Sequence, residues 1–158
     1  IRGNVDTRVR KALQGQYDAI VLAVAGVQRL GLEAHVGQQL PLSVMLPAPG
    51  QGALAVQCRA DDEETLHYLS AIEDAGARAA TLAERTFLAQ LGGGCSLPVG
   101  AHAGIKDGGF ELDSIVASLD GARVIRCHAE GGDPIKLGLE CAEEALAQGA
   151  ADILPQQG

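Results

Sequence analysis

The chain has 158 residues, 47% of them hydrophobic and 20% charged, which is enough apolar content for one domain or two small ones with a buried core. A net charge of −8 argues against nucleic acid, whose backbone calls for a basic face, and the apolar runs are too short to span a bilayer. Four cysteines without paired short spacing and four scattered histidines argue against a zinc site or a disulfide scaffold, so free thiols, no metal and a cytoplasmic setting are expected.

The opening "IRGNVDTRVRKALQGQYDAIVLAVAG" starts without Met or a disordered lead and reads as an interior segment. Residues 1–29 hold five basic against two acidic residues (+3), whereas the remainder holds seven against eighteen (−11). A basic opening on an acidic protein points to a small anionic ligand. In "TRVRKALQG", Thr7 is placed to cap a short helix with Val9 and Leu13 near one face, and Gly15 stops it. The continuous apolar run at residues 19–25 predicts a buried parallel strand ending at Gly26. "VQRLGL" then sets Arg29 just beyond that strand's carboxyl end, where open α/β sheets bind ligands.

In "LPAPGQGALAVQCR", Pro47, Pro49, Gly50 and Gly52 mark a hinge-like crossing before a predicted strand at residues 53–58. "DDEETLHYLSAIED" is a helix with an acidic, solvated start and with Leu66, Leu69 and Ile72 at helical spacing. A second helix, "ARAATLAERTFLAQL", offers Leu82, Phe87, Leu88 and Leu91 for packing. Strands are predicted near residues 100–105, 110–118 and 124–129, separated by "KDGG" and "LDGA", in which Asp-Gly is a strong hairpin signal. A last helix runs from about Ile135 to Gln148 and stops at Gly149. From about residue 73 onward the pattern is that of a small α+β domain.

Between the second helix and the first of these strands lies "LGGGCSLPVG". Glycine runs are commonly plain turns, and a free cysteine is commonly a small buried hydrophobe. Three glycines, a proline and one thiol in ten residues also describe a shaped loop that presents Cys95 for attachment or attack. Cys95 follows a helix C-terminus, where the dipole does nothing to lower a thiol pKa, so a thiolate protease is disfavoured.

The stretches "RGNVDTR", "YDAIVLAVAGVQRLGL", "LPAPGQGALAVQCR", "AERTFL" and "GGCSLPVGAHA" occur in an order that resembles the porphobilinogen deaminase (hydroxymethylbilane synthase) family. The resemblance covers nearly the whole chain and thins after about Gly104. It implies a transferase that condenses four porphobilinogen molecules into hydroxymethylbilane, with release of ammonia, in tetrapyrrole biosynthesis. It also implies a dipyrromethane cofactor held by a thioether to Cys95. Arg2, Arg8 and Arg29 match the family's arginines for cofactor and substrate carboxylates, a role suited to a planar guanidinium fork. Gly26 and Gln51 match further cofactor-binding positions.

The implied fold is the α/β portion of a periplasmic-binding-protein-like domain pair followed by a small α+β C-terminal domain with a three-stranded antiparallel sheet and covering helices. The implied division is 1–47 as the later part of the second, substrate-cleft domain, 48–72 as a crossing segment returning to the first, and 73–158 as the cofactor-carrying domain. Gly92 and Gln57 stand where the family commonly has acidic residues. The chain thus resembles the family's C-terminal portion, with the catalytic aspartate expected in an N-terminal portion on which activity, and full folding, depend. Two other readings are a non-catalytic module that binds small carboxylates, with Cys95 structural, and a thiol-nucleophile enzyme, which lacks an evident histidine partner in the sequence.

Overall fold

The computed structural model describes residues 1–93 and 97–154. The chain divides into two compact units, Ile1–Val44 and Met45–Gly158.

In the first unit, α1 spans Val5–Leu13 and α2 spans Val24–Arg29, followed by a 3-10 turn at Glu33–His35. Helix α1 begins two residues before Thr7, so Asn4 rather than Thr7 holds the N-cap position, and Asn4 makes no side-chain capping bond. Thr7 instead turns its methyl group toward Gly3, where a Cβ would lie 3.2 Å away. Val9 is buried as expected, but Leu13 is 63% exposed.

No strand forms at residues 19–25: residues 19–23 carry no regular structure and α2 begins at Val24. Arg29 is therefore the last residue of a helix instead of the first beyond a strand. An apolar run becomes a strand only when a neighbour completes the hydrogen-bond ladder, and the first unit contains no such neighbour among the described residues. The predicted strand at residues 53–58 is absent for the same reason, leaving Leu54 96% and Val56 65% exposed.

The second unit is a small α+β domain. Helix α3 (Glu63–Ser70) is capped by Asp62, which accepts from the Thr65 amide, and α4 (Ala75–Gln90) is capped by Asp74, which accepts from the Ala77 amide. No residue of α3 is buried, and Leu66 and Ile72 are 43% and 73% exposed. Strands β1 (Val99–Lys106), β2 (Gly109–Ala117) and β3 (Val124–Gly131) form an antiparallel sheet in the order β1-β2-β3. Asp107 and Gly108, at φ 48° and 84°, make a two-residue turn that pairs Lys106 with Gly109, as the Asp-Gly signal predicts. Helix α5 (Pro134–Ala147) is capped by Asp133, which accepts from the amides of Ile135 and Lys136, and a short α6 (Ala150–Ile153) follows.

Period-two alternation puts Leu112, Ser114 and Val116 of β2 on the face covered by helices, with Ala101 and Ala103 of β1 and Ile125 and Cys127 of β3. Phe87 of α4, the C-cap Leu91 that follows it, and Leu137, Cys141, Ala142 and Ala145 of α5 close this core. Leu82 is not part of it and is 41% exposed.

Candidate functional site

Among the sequence-predicted residues, Arg2, Arg8, Gly26 and Arg29 belong to the first unit. Arg8 lies on α1 and its Nε donates to the Gly3 carbonyl at 2.7 Å, which folds the "RGN" segment back along the helix. Arg2 and Arg29 are exposed, and among the described residues no carboxylate lies within ion-pair distance of Arg2, Arg8 or Arg29. Gly26 lies on α2, and a Cβ there would meet the Val5 side chain of α1 at 3.3 Å. The small residue thus permits the close contact of α1 and α2, the helices that carry Arg8 and Arg29.

Gln51 and Cys95 belong to the second unit. Gln51 is exposed at a turn in which its amide donates to the Ala48 carbonyl at 3.0 Å. Cys95 lies outside the described residues, between the end of α4 and β1. Helix α4 ends in a Schellman arrangement: the Gly92 amide donates to Ala89 at 3.1 Å and the Gly93 amide to Leu88 at 3.0 Å. Gly92 and Gly93 have φ of 99° and 67°, a left-handed conformation in which side chains are strained. At the far side, the Pro98 carbonyl accepts from the Ala117 amide of β2 at 3.0 Å. Two of the three consecutive glycines thus turn the chain off a helix, and Pro98 joins it to the sheet.

The other thiols are chemically distinct. Cys127 and Cys141 are buried in the core, and burial pushes both up to about 11, so they stay protonated at neutral pH. Cys58 is half-buried and free.

Two features were not found from the sequence. Glu84, in "AERTFL", is 6% exposed and accepts from the amides of Gly50 and Ala103. Its signal was a carboxylate between Ala83 and Phe87, both of them in the core. The second is a polar cluster on the open face of the sheet, readable in principle from strand alternation. The Lys106 ammonium lies 2.7 Å from Glu130 and 3.2 Å from Glu111, and His128 bonds Asp113 through Nδ1 at 2.9 Å and Glu130 through Nε2 at 3.2 Å. Glu111, His128 and Glu130 bring three donor atoms within 4.8 Å of one another, but Lys106 already supplies positive charge between the two glutamates.

Hydrogen bonds to Asp113, and then to Glu130, raise the His128 pKa above its ordinary 6.5. A raised folded-state value means that the stabilisation is complete below the unfolded-state value and is lost as pH rises through the folded one. The thermal midpoint of the second unit is therefore expected to fall between about pH 6 and about pH 8 by more than that of His128→Gln. Equal pH slopes in the two proteins would count against the network.

Family models and curated relatives bear on identity. Residues 1–67 match the family model "Porphobilinogen deaminase, dipyromethane cofactor binding domain", and residues 79–147 match "Porphobilinogen deaminase, C-terminal domain". Arg2, Arg8, Gly26, Arg29 and Gln51 fall within the first match and Cys95 within the second. The porphobilinogen deaminase of Brevibacillus brevis is 49% identical over 157 residues, covering 99% of this chain and 51% of that protein. Those of Desulforamulus reducens and Synechococcus elongatus are 44% and 46% identical over 158 residues, covering 99% of this chain and 51% and 49% of theirs. The chain spans about half the length of the curated relatives it matches.

Proposed function

The chain belongs to the porphobilinogen deaminase family, and we propose that it is the C-terminal portion of such an enzyme, a cytoplasmic transferase that joins porphobilinogen units into hydroxymethylbilane. The observation that carries this reading is the conjunction of two ordered family matches with a single thiol, Cys95, between the glycine-capped end of α4 and β1. In this reading residues 1–47 are the later part of the second domain of a periplasmic-binding-protein-like pair, whose sheet would be completed by the N-terminal portion, residues 48–72 cross back to the first domain, and residues 73–158 carry the cofactor. No helix among the described residues is long and apolar enough to cross a membrane.

The donor set fits a dipyrromethane, whose acetate and propionate side chains need cationic partners. Arg2, Arg8 and Arg29 have no carboxylate partner among the described residues, and although the Arg8 Nε donates to the Gly3 carbonyl, its two terminal NH₂ groups remain as a pair of donors for a carboxylate. Cys95 holds the group through sulfur, and Gln51 donates or accepts at the polar periphery. When bound, the dipyrromethane supplies the electron-rich pyrrole carbon to which porphobilinogen is joined. The residues of this chain bind and orient; the proton-handling aspartate belongs to the N-terminal portion, so the chain alone is inactive.

The test is to incubate the purified chain with porphobilinogen, with and without the N-terminal portion, and to map intact mass to peptides. We expect a mass gain of two linked pyrroles on the Cys95 peptide, and hydroxymethylbilane formation when both portions are present. Turnover by the chain alone would overturn the division of labour. Arginine-dependent carboxylate binding with no covalent gain in the assembled protein would favour the binding-module reading.

A further inference from the structure

A buried carboxylate is costly unless both oxygens are matched by donors, and Glu84 is matched by donors from two separate segments. Its Oε1 accepts from the Ala103 amide of β1 at 2.8 Å, and its Oε2 accepts from the Gly50 amide at 2.6 Å. His102 Nδ1 stands 4.0 Å from Oε1. One turn earlier on α4, the Thr81 methyl is 3.9 Å from the place of a Gly50 Cβ. Alongside, the Pro47 carbonyl accepts from the Ala101 amide at 2.9 Å, so residues 47–50 lie against the free edge of β1. The Ala101 and Ala103 donors of that edge are thereby matched without a fourth strand.

We propose that Glu84 is a positioning residue: its one carboxylate fastens the turn carrying Gln51 to α4 and β1, the two elements that bracket the segment containing Cys95. This rests on the reading of Cys95 as the cofactor tether. The chemistry needs an acceptor at both ends, which a carboxylate supplies and a carboxamide does not: the NH₂ of a glutamine would face one of the two amide donors. A neutral core residue would leave both amides unmatched. Fastening the turn to α4 and β1 keeps the Gln51 turn in one body with the two elements that flank the Cys95 segment in the chain.

The experiment compares wild type, Glu84→Gln and Cys141→Ala, each combined with the N-terminal portion. Cys141 is buried in the same domain, its Sγ donates to the Leu112 carbonyl of β2, and its loss weakens the core without removing a partner of the Gly50 or Ala103 amide. Two quantities are measured: amide hydrogen exchange at Gly50 and Ala103 relative to Leu112, and the rate at which the Cys95 peptide gains pyrrole mass from porphobilinogen. For Glu84→Gln, exchange at the two amides is expected to rise about tenfold and loading to slow about tenfold, with the final extent unchanged. Cys141→Ala is expected to lower the thermal midpoint while leaving both quantities alone. Equal slowing in the two variants would reduce Glu84 to a structural residue and overturn the proposal, as would unchanged exchange and loading in Glu84→Gln. Failure of wild-type Cys95 to gain pyrrole mass would overturn the tether reading and the positioning role with it, while the exchange data would still report the fastening.

Discussion

Cys95→Ser is expected to abolish covalent pyrrole on the chain and to lower the activity of the assembled enzyme by on the order of a thousandfold or more. Serine nearly matches cysteine in size, so the glycine-capped turn and the fold are kept, while a hydroxyl lacks the nucleophilicity and accessible anion of a thiol. The loss is therefore chemical rather than conformational. The other thiols do not substitute: Cys127 and Cys141 are buried and held up to about 11. Cys58 is half-buried and free, so peptide mapping must show that no pyrrole mass migrates to it. Two results would defeat the assignment: a pyrrole increment on any other peptide, or unimpaired synthesis by Cys95→Ser at matched concentration. A circular-dichroism spectrum identical to that of wild type is the accompanying control.

Gly138→Ala is expected to destabilise the second unit by about 3 kcal/mol, at the upper end for overpacking. A Cβ at this position of α5 would lie 2.5 Å from the Ala83 carbonyl oxygen, 2.7 Å from the Thr86 Cβ and 3.0 Å from the Phe87 amide nitrogen of α4. Two of these atoms are backbone and cannot rotate away, so the helices must part. Separation loosens Phe87, Leu137 and Cys141, which are among the most deeply buried residues of the core. Alanine is the better helix former by about 1 kcal/mol, which offsets part of the cost without reversing it. Thermal unfolding followed by circular dichroism should show a midpoint roughly 10 °C lower. An unchanged or raised midpoint would mean that helix propensity outweighs the clash and that the close approach of α4 and α5 is not needed.

Gly138 also illustrates what a linear reading misses. In "IKLGLECAEEALA" it is one glycine inside a helical pattern, and nothing local says that another helix's backbone passes against it. Glu84 is the same case in polar form, since its partners are 34 and 19 residues away along the chain. By contrast, the three strands lie within about two residues of their predicted bounds, because alternation and an Asp-Gly turn act over neighbouring residues. The last helix is displaced by one residue at each end for the same reason, its limits being set by Asp133 and Gly149. Thr7 failed as a cap although its type was right, because the helix extends to Val5 while Thr7 packs on Gly3.

By itself the sequence determined the family, the placement of Cys95 behind a helix-ending glycine run, and the small α+β domain, since motif order, turn chemistry and period are local properties. Tertiary structure alone decided that residues 19–25 and 53–58 are not strands, because an extended segment acquires that identity from the neighbour that completes its ladder. It also decided that Glu84 joins the Gly50 turn to β1, because a buried carboxylate takes its role from whichever donors the fold brings to it.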